Sequence, residues 1–196
     1  MAQLPGPTVD QAVVRCGGES VVAYLALDTD RSTLEVAVGG PPTWDVAPVD
    51  QKDDRAGPGP SLACAGGQVH GIFQNTTESR LVELTSTAPA LVGSYTATPI
   101  DVGHAVGLST DLRIANDTLY VVYARTTGEV QVAARPLDGS SGWRSYSFAG
   151  PDDVEGSALA GDVGLAIDQD GLPVVLFFGV FGDGAGPWLA TVDPSR

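Results

Sequence analysis

The chain alternates short apolar runs with turn residues along its length. Val13-Val14-Arg15-Cys16 is followed by Gly17-Gly18 and then by Val21-Val22-Ala23-Tyr24. The same order returns in Ser61-Leu62-Ala63-Cys64, Gly66-Gly67 and Val69-His70-Gly71-Ile72-Phe73. It returns again in Asp111-Leu112-Arg113-Ile114, Asn116-Asp117 and Leu119-Tyr120-Val121-Val122-Tyr123. A fourth copy reads Gly164-Leu165-Ala166-Ile167, Asp170-Gly171 and Pro173-Val174-Val175-Leu176-Phe177. Short runs rich in Val, Leu and aromatics, split by Gly, Asn or Asp, predict strand pairs joined by tight hairpin turns.

Each copy continues with a third run: 34–38, 81–85, 130–134 and 188–192. Three copies add a fourth run opened by an aromatic residue, at Trp44, Tyr95 and Trp143. Two landmarks keep a common period. Cys16, Cys64, Ile114 and Ile167 are spaced by 48, 50 and 53 residues, and the aromatics Tyr24, Phe73, Tyr123 and Phe177 by 49, 50 and 54. Repeats of four antiparallel strands at this period are the signature of propeller blades. A lone meander buries one face, whereas neighbouring blades bury both, which suits strands as apolar as Leu119 to Tyr123. The expected fold is therefore all-β, a small β-propeller of four blades in one domain over 1–196, with blades at about 10–57, 58–107, 108–161 and 162–196. The last blade is expected to be incomplete. A β-sandwich and a β-solenoid are the competing folds.

These strand pairs resemble the repeats of bacterial β-propellers in the broad sialidase-like (BNR) group. The resemblance implies a propeller with ligands commonly bound on the face where the channel opens. The Asp-box pattern Ser-x-Asp-x-Gly-x-x-Trp is not matched. The nearest stretch, Asp138-Gly139-Ser140-Ser141-Gly142-Trp143, departs in spacing and order, so sialidase activity is not carried over.

Composition narrows the partners. Apolar residues make up 43% of the chain, which is enough for a packed core. The net charge of −14 repels a phosphate backbone and anionic membrane surfaces, so neither nucleic acid nor membrane is expected as a partner. The same field attracts cations or basic partners. The N-terminal Met-Ala-Gln-Leu-Pro-Gly has neither a basic nor an apolar leader region, so the chain as given reads as cytoplasmic, or as secreted if a leader has been removed. Cys16 and Cys64, as repeat counterparts of two isoleucines, read as small core hydrophobes.

In a propeller, the connections from second to third strand and from each blade to the next share one face. Here these are 28–33, 74–80, 125–128 and 179–186, together with 50–60, 101–109 and 149–162. They carry Asp28, Asp30, Asp53, Asp54, Glu78, Asp152, Asp153, Glu155, Asp162 and Asp183. Paired carboxylates serve glycoside chemistry or hold Ca²⁺, and no other cofactor or metal is expected. Asp168-x-Asp170-Gly171 resembles the opening of a calcium loop, lacks the later ligands, and reads as a hairpin turn. His104 is the better placed of two histidines for proton transfer, with Asp153 and Glu155 as its candidate catalytic companions. His70 lies in a strand that otherwise packs. Arg15 and Arg113 are read as equivalent positions of the first strands in blades one and three, poised to hold a carboxylate or phosphate. Asp54, Asp153 and His104 join them as candidate ligand-binding residues. Phe178 and Phe181, beside glycines 179, 182, 184 and 186, read as a covering flap. Trp44, Tyr95, Trp143 and Trp188 read as anchors of the outer strands.

Three functions are open at this point. The leading one is a ligand-binding propeller that takes a carbohydrate or small polar ligand at its channel mouth. A second is a hydrolase or lyase using loop carboxylates and His104. A third is an interaction scaffold, including a homo-oligomer formed through the incomplete last blade.

Overall fold

Each predicted run becomes a strand. The first sheet has the order β1 (Thr8–Cys16), β2 (Glu19–Leu27), β3 (Ser32–Gly40), β4 (Thr43–Pro48). The second contains β5 (Ser61–Ala65), β6 (Gln68–Asn75), β7 (Arg80–Ser86) and β8 (Tyr95–Pro99), again paired in sequence order. The third holds β9 (Val106–Ala115), β10 (Thr118–Arg125), β11 (Val130–Pro136) and β12 (Arg144–Ala149), and the fourth β13 (Ala158–Ile167), β14 (Pro173–Phe181) and β15 (Gly184–Thr191). All pairings are antiparallel, and no helix occurs among the described residues. This computed structural model describes residues 8–27, 32–40, 42–49, 56–57, 59–87, 93–100, 106–149, 158–181 and 184–192. The chain divides into two compact units, Met1–Ile100 and Asp101–Arg196, each holding two sheets, called here blades 1 and 2 and blades 3 and 4.

Local chemistry sets the hairpins. Gly17 and Gly18, Gly66 and Gly67, and Asn116 and Asp117 all have positive φ at both central positions. This is the type I′ geometry whose twist matches the flanking strands. The fourth hairpin is longer. Asp168 Oδ1 accepts the backbone N–H groups of Asp170 at 2.9 Å and Leu172 at 2.8 Å, so its carboxylate closes the turn as the sequence implies.

Hairpin register revises the repeat alignment by one residue. Arg15 pairs with Ser20, Cys64 with Val69, Ile114 with Leu119 and Ile167 with Pro173. Each β2-type partner stands the same distance ahead of the aromatic landmark. The counterpart of Cys64, Ile114 and Ile167 is therefore Arg15, not Cys16. The slip has a physical meaning, because a one-residue shift in a strand turns a side chain to the opposite face.

In unit 1, blade 1 presents Ala12, Val14, Cys16, Val21, Ala23 and Leu25 to Leu62, Cys64, Val69 and Phe73 of blade 2. These are unlike faces of equivalent sheets. Cysteines at equivalent positions would point the same way and never meet. Offset by one residue, Cys16 and Cys64 are joined by a disulfide with Cα atoms 5.6 Å apart. The expectation that they are separate core hydrophobes is thus corrected, although Cys16 is buried in the core as expected.

Unit 2 packs the same way with different fasteners. Ala115, Tyr120, Val122, Val132 and Tyr146 of blade 3 meet Val163, Leu165, Ile167, Val175 and Phe177 of blade 4. Where unit 1 has its disulfide, unit 2 uses side chains of β9 to satisfy the edge of β13. The Leu165 N–H donates to Asp111 Oδ2 at 2.9 Å, and the Val163 N–H to Ser109 Oγ at 3.2 Å. The units also echo each other in their polar cores. Tyr24 donates to Glu35 Oε2 at 2.6 Å in blade 1, and Tyr123 to Gln131 Oε1 at 2.6 Å in blade 3. Phe73 and Phe177 hold the same place in blades 2 and 4, so the chain repeats in pairs of blades as well as singly.

Two outer features depart from expectation. The segment 179–186, read as a loop, is mostly sheet, with Gly179 pairing with Gly186 and Phe181 with Gly184. Trp188 is 44% exposed, so it is no core anchor. Leu176, Phe178 and Leu189 are likewise exposed.

Candidate functional site

A cavity with polar and aromatic lining lies on blade 3. It is a groove of about 330 Å³ lined by Thr118, Tyr120, Ala134, Arg135, Pro136, Ser141, Arg144 and Tyr146. Its volume is at the small end of the usual range for ligand sites. Strand register builds its floor. Arg113 pairs with Tyr120, Tyr120 with Ala134, and Ala134 with Arg144, so four strands contribute one row on one face. Val132 pairs with Tyr146 one step along the same face.

The wall comes from an enlarged connection. In blade 1, β3 and β4 close tightly, with Gly40 paired to Thr43. In blade 3 the last pair is Ala134 with Arg144, and the intervening chain bulges out through 135–143. Its turn is organised by Asp138, whose Oδ1 accepts the Ser140 N–H at 2.9 Å. Hydrogen bonds from Ser140, helped by the nearby Arg135 charge, hold the Asp138 carboxyl below its ordinary pKa. The Leu137 N–H donates to Asp117 O at 2.8 Å and pins the bulge to the β9–β10 hairpin.

Arg135 is fixed on two sides. Its Nη1 donates to Pro136 O at 2.7 Å, and its guanidinium lies 5.5 Å from the centre of the Trp143 ring. Arg144 is exposed, and among the described residues no carboxylate pairs with it. The lining thus holds buried Tyr120, half-buried Tyr146, exposed Arg144 and the hydroxyl residues Thr118 and Ser141, with Arg135 at the neighbouring register position and no carboxylate.

The residues singled out from sequence fare differently. Arg15 and Arg113 are not equivalent, because Arg15 pairs with Ser20 and Arg113 with Tyr120, which puts them on opposite faces of their sheets. Arg15 is exposed and reaches Gly18 O at 3.5 Å. Arg113 shares the groove's row but turns to Asp111, with Nη1 2.6 Å from Oδ1 and 2.8 Å from Leu112 O. His104, Asp54, Asp153 and Glu155 lie outside the described residues, as do Asp28, Asp30, Asp53, Asp152 and Asp183. The backbone of Phe181 is in β14, but its side chain is outside the described set. Asp162 sits within β13 and is exposed, and Glu78 is tied to Arg80 at 2.8 Å. His70 is buried, 3.7 Å from Glu83. No group of three or more metal-ligating residues occurs among the described residues.

No protein-family model matches the sequence, and no curated protein matches it either. Solved structures do. An α-L-arabinofuranosidase from Podospora anserina, determined with cellotriose, superposes with a TM-score of 0.57 at 10% identity, over 95% of this chain and 63% of its own. The Aleuria aurantia lectin, a six-bladed β-propeller that recognises fucose, gives 0.52 at 13% identity, over 93% and 60%. A sialidase from Streptococcus pneumoniae gives 0.52 at 14% identity, over 84% and 26%. The chain therefore spans less than two thirds of each of these proteins. With its four antiparallel meanders, this likeness makes the chain an all-β protein of the β-propeller fold, its last described blade three-stranded.

Proposed function

We propose that the chain is a carbohydrate-binding propeller module and that the blade 3 groove holds the saccharide. The observation that carries this reading is the lining itself. Half-buried Tyr146 offers part of an apolar ring for the C–H face of a sugar, while guanidinium and hydroxyl groups at the rim meet its hydroxyls. Similar folds that bind or cut sugars support the reading, among them the lectin that recognises fucose and the arabinofuranosidase determined with cellotriose.

Binding is favoured over hydrolysis at this groove, because glycoside cleavage ordinarily needs two carboxyl groups flanking the bond, and the lining has none. The disulfide supports a working place in an oxidising compartment, since such bonds are rare in reducing cytosol. That reading differs from the cytoplasmic one drawn from the N-terminus.

The test is a glycan array followed by calorimetry on the wild type and on Ser141→Trp, which places a bulky ring in the groove from an exposed loop. The wild type is expected to bind at least one glycan, and the variant to lose that binding by tenfold or more with an unchanged circular dichroism spectrum (about 1.4 kcal/mol). A wild type that binds nothing on the array, or a variant that binds equally well, overturns the proposal.

A further inference from the structure

We infer that the chain self-associates head to tail, with the bare sheet face of blade 4 in one copy covered by the bare sheet face of blade 1 in another. Nothing in this depends on the blade 3 groove.

Blade packing in this protein joins unlike faces. In unit 1, blade 1 offers the face of Cys16, Val21 and Leu25, and blade 2 answers with the face of Cys64, Val69 and Phe73. In unit 2, the face of blade 3 that carries Tyr120 and Val122 meets the face of blade 4 that carries Val175 and Phe177. Cys64 and Ile167 hold equivalent register positions, so blades 2 and 4 use the same face. The pattern gives a sheet a leading face, suited to a following sheet, and a trailing face, suited to a preceding one.

Blade 4 leaves its leading face bare. Side chains alternate along a strand, so this face holds Val174, Leu176 and Phe178 of β14, opposite in direction to Val175 and Phe177. Register sets Leu176 between Gly164 and Leu189, and Phe178 beside Pro187, so apolar groups run across the sheet. Leu176, Phe178 and Leu189 are 48%, 43% and 73% exposed, whereas Val21, Leu25 and Val122 on the leading faces of blades 1 and 3 are buried. A contiguous exposed apolar patch marks an interaction surface.

Blade 1 leaves the complementary face bare. Its trailing face carries the row Val13, Val22, Ala37 and Val46, one residue from each strand. Val13 is 71% exposed. Trp44 and Ala26 join this row in an apolar cluster whose members, among the described residues, all come from blade 1. The clusters inside each unit draw on two sheets instead. One chain therefore holds both halves of the contact that its own blades already make. A leading face meets a trailing face in both units, so the contact between copies is heterologous and not a pairing of blade 4 with itself. The net charge of −14 sets copies repelling one another, so association should tighten as salt screens that repulsion.

The experiment is sedimentation velocity on the full chain over micromolar concentrations, with wild type, Leu189→Asp, Val13→Asp and an equimolar mixture of the two variants. Wild type is expected to sediment above the monomer mass, increasingly so with concentration and salt. Each variant alone should weaken association about a hundredfold or more, because a carboxylate would be buried without a partner. The mixture should recover a dimer of one copy of each, since Leu189→Asp keeps an intact blade 1 face and Val13→Asp an intact blade 4 face. A wild type that stays monomeric would overturn the inference. Association that survives in Val13→Asp alone, or a mixture that stays monomeric, would overturn the head-to-tail pairing. Both substituted side chains are exposed, so both variants are expected to fold, and an unchanged circular dichroism spectrum checks this.

Discussion

Reducing the Cys16–Cys64 bond should destabilise unit 1 by about 4 kcal/mol. The two cysteines are 48 residues apart, and the loop-closure entropy released in the unfolded chain at that separation gives roughly 4 kcal/mol at room temperature. Nothing else need change, because the thiols can stay in the same core contacts. If unit 1 melts as a body of about 100 residues, the expected fall in Tm is on the order of 15 °C, and about half that if the whole chain melts together. The assay is differential scanning calorimetry with and without a thiol-free phosphine reductant, repeated on the Cys16→Ala/Cys64→Ala double variant, which should melt near the reduced protein. Alkylation of the unreduced, denatured chain should label no thiol. Two labelled cysteines would refute the bond itself. A Tm unmoved by reduction would refute the energetic argument. Moving the first cysteine, as Arg15→Cys/Cys16→Ala, should not restore the bond, because position 15 points to the other face.

Burial pushes the phenols of Tyr95 and Tyr123 up to about 12 from an ordinary 10.0, with Arg125 partly opposing the rise at Tyr123. The folded state therefore keeps protons that the unfolded chain releases near pH 10. Stability from these groups should be complete below that pH and fall as pH climbs from about 10 towards 12, measured by urea melts across the range and by phenolate absorbance. Tyr24 shifts in the same direction, through burial first and then its bond to Glu35, and should ionise only on unfolding. Asp111→Ala removes the acceptor for the Leu165 N–H and the partner of Arg113, and should cost about 1–3 kcal/mol in chemical denaturation. Gly171 has φ +80°, and an added Cβ would lie 2.1 Å from Asn116 Nδ2. Gly171→Ala should therefore destabilise by about 1 kcal/mol or more, and Asn116→Gly in the same chain should recover the part due to the clash.

Features set by neighbouring residues were legible in the sequence. Turn residues such as Gly17-Gly18 and Asn116-Asp117 dictate a positive-φ hairpin without help from the rest of the chain, and with the apolar runs beside them they locate the four sheets. Features set by which faces oppose were not. Arg15 and Cys16 are adjacent, and nothing local says which of them takes the repeat position held by Cys64, so both the disulfide and the supposed Arg15–Arg113 equivalence turned on a one-residue slip. Glycines 179 and 186 have turn chemistry, yet they pair because β14 and β15 continue past them. The groove was missed for a related reason. Its polar residues come from β10, β11, β12 and one bulge, and only register unites them. A signal was present in the longer interval between Ala134 and Trp143 than between Val38 and Trp44, within the stretch compared above with an Asp box.

The most direct test is a crystal structure of the chain soaked with the tightest-binding oligosaccharide. Density is expected in the blade 3 groove, against Tyr146 and within hydrogen-bond distance of Arg144. A saccharide seated elsewhere on the chain, with the blade 3 groove holding only solvent, would contradict the proposed site.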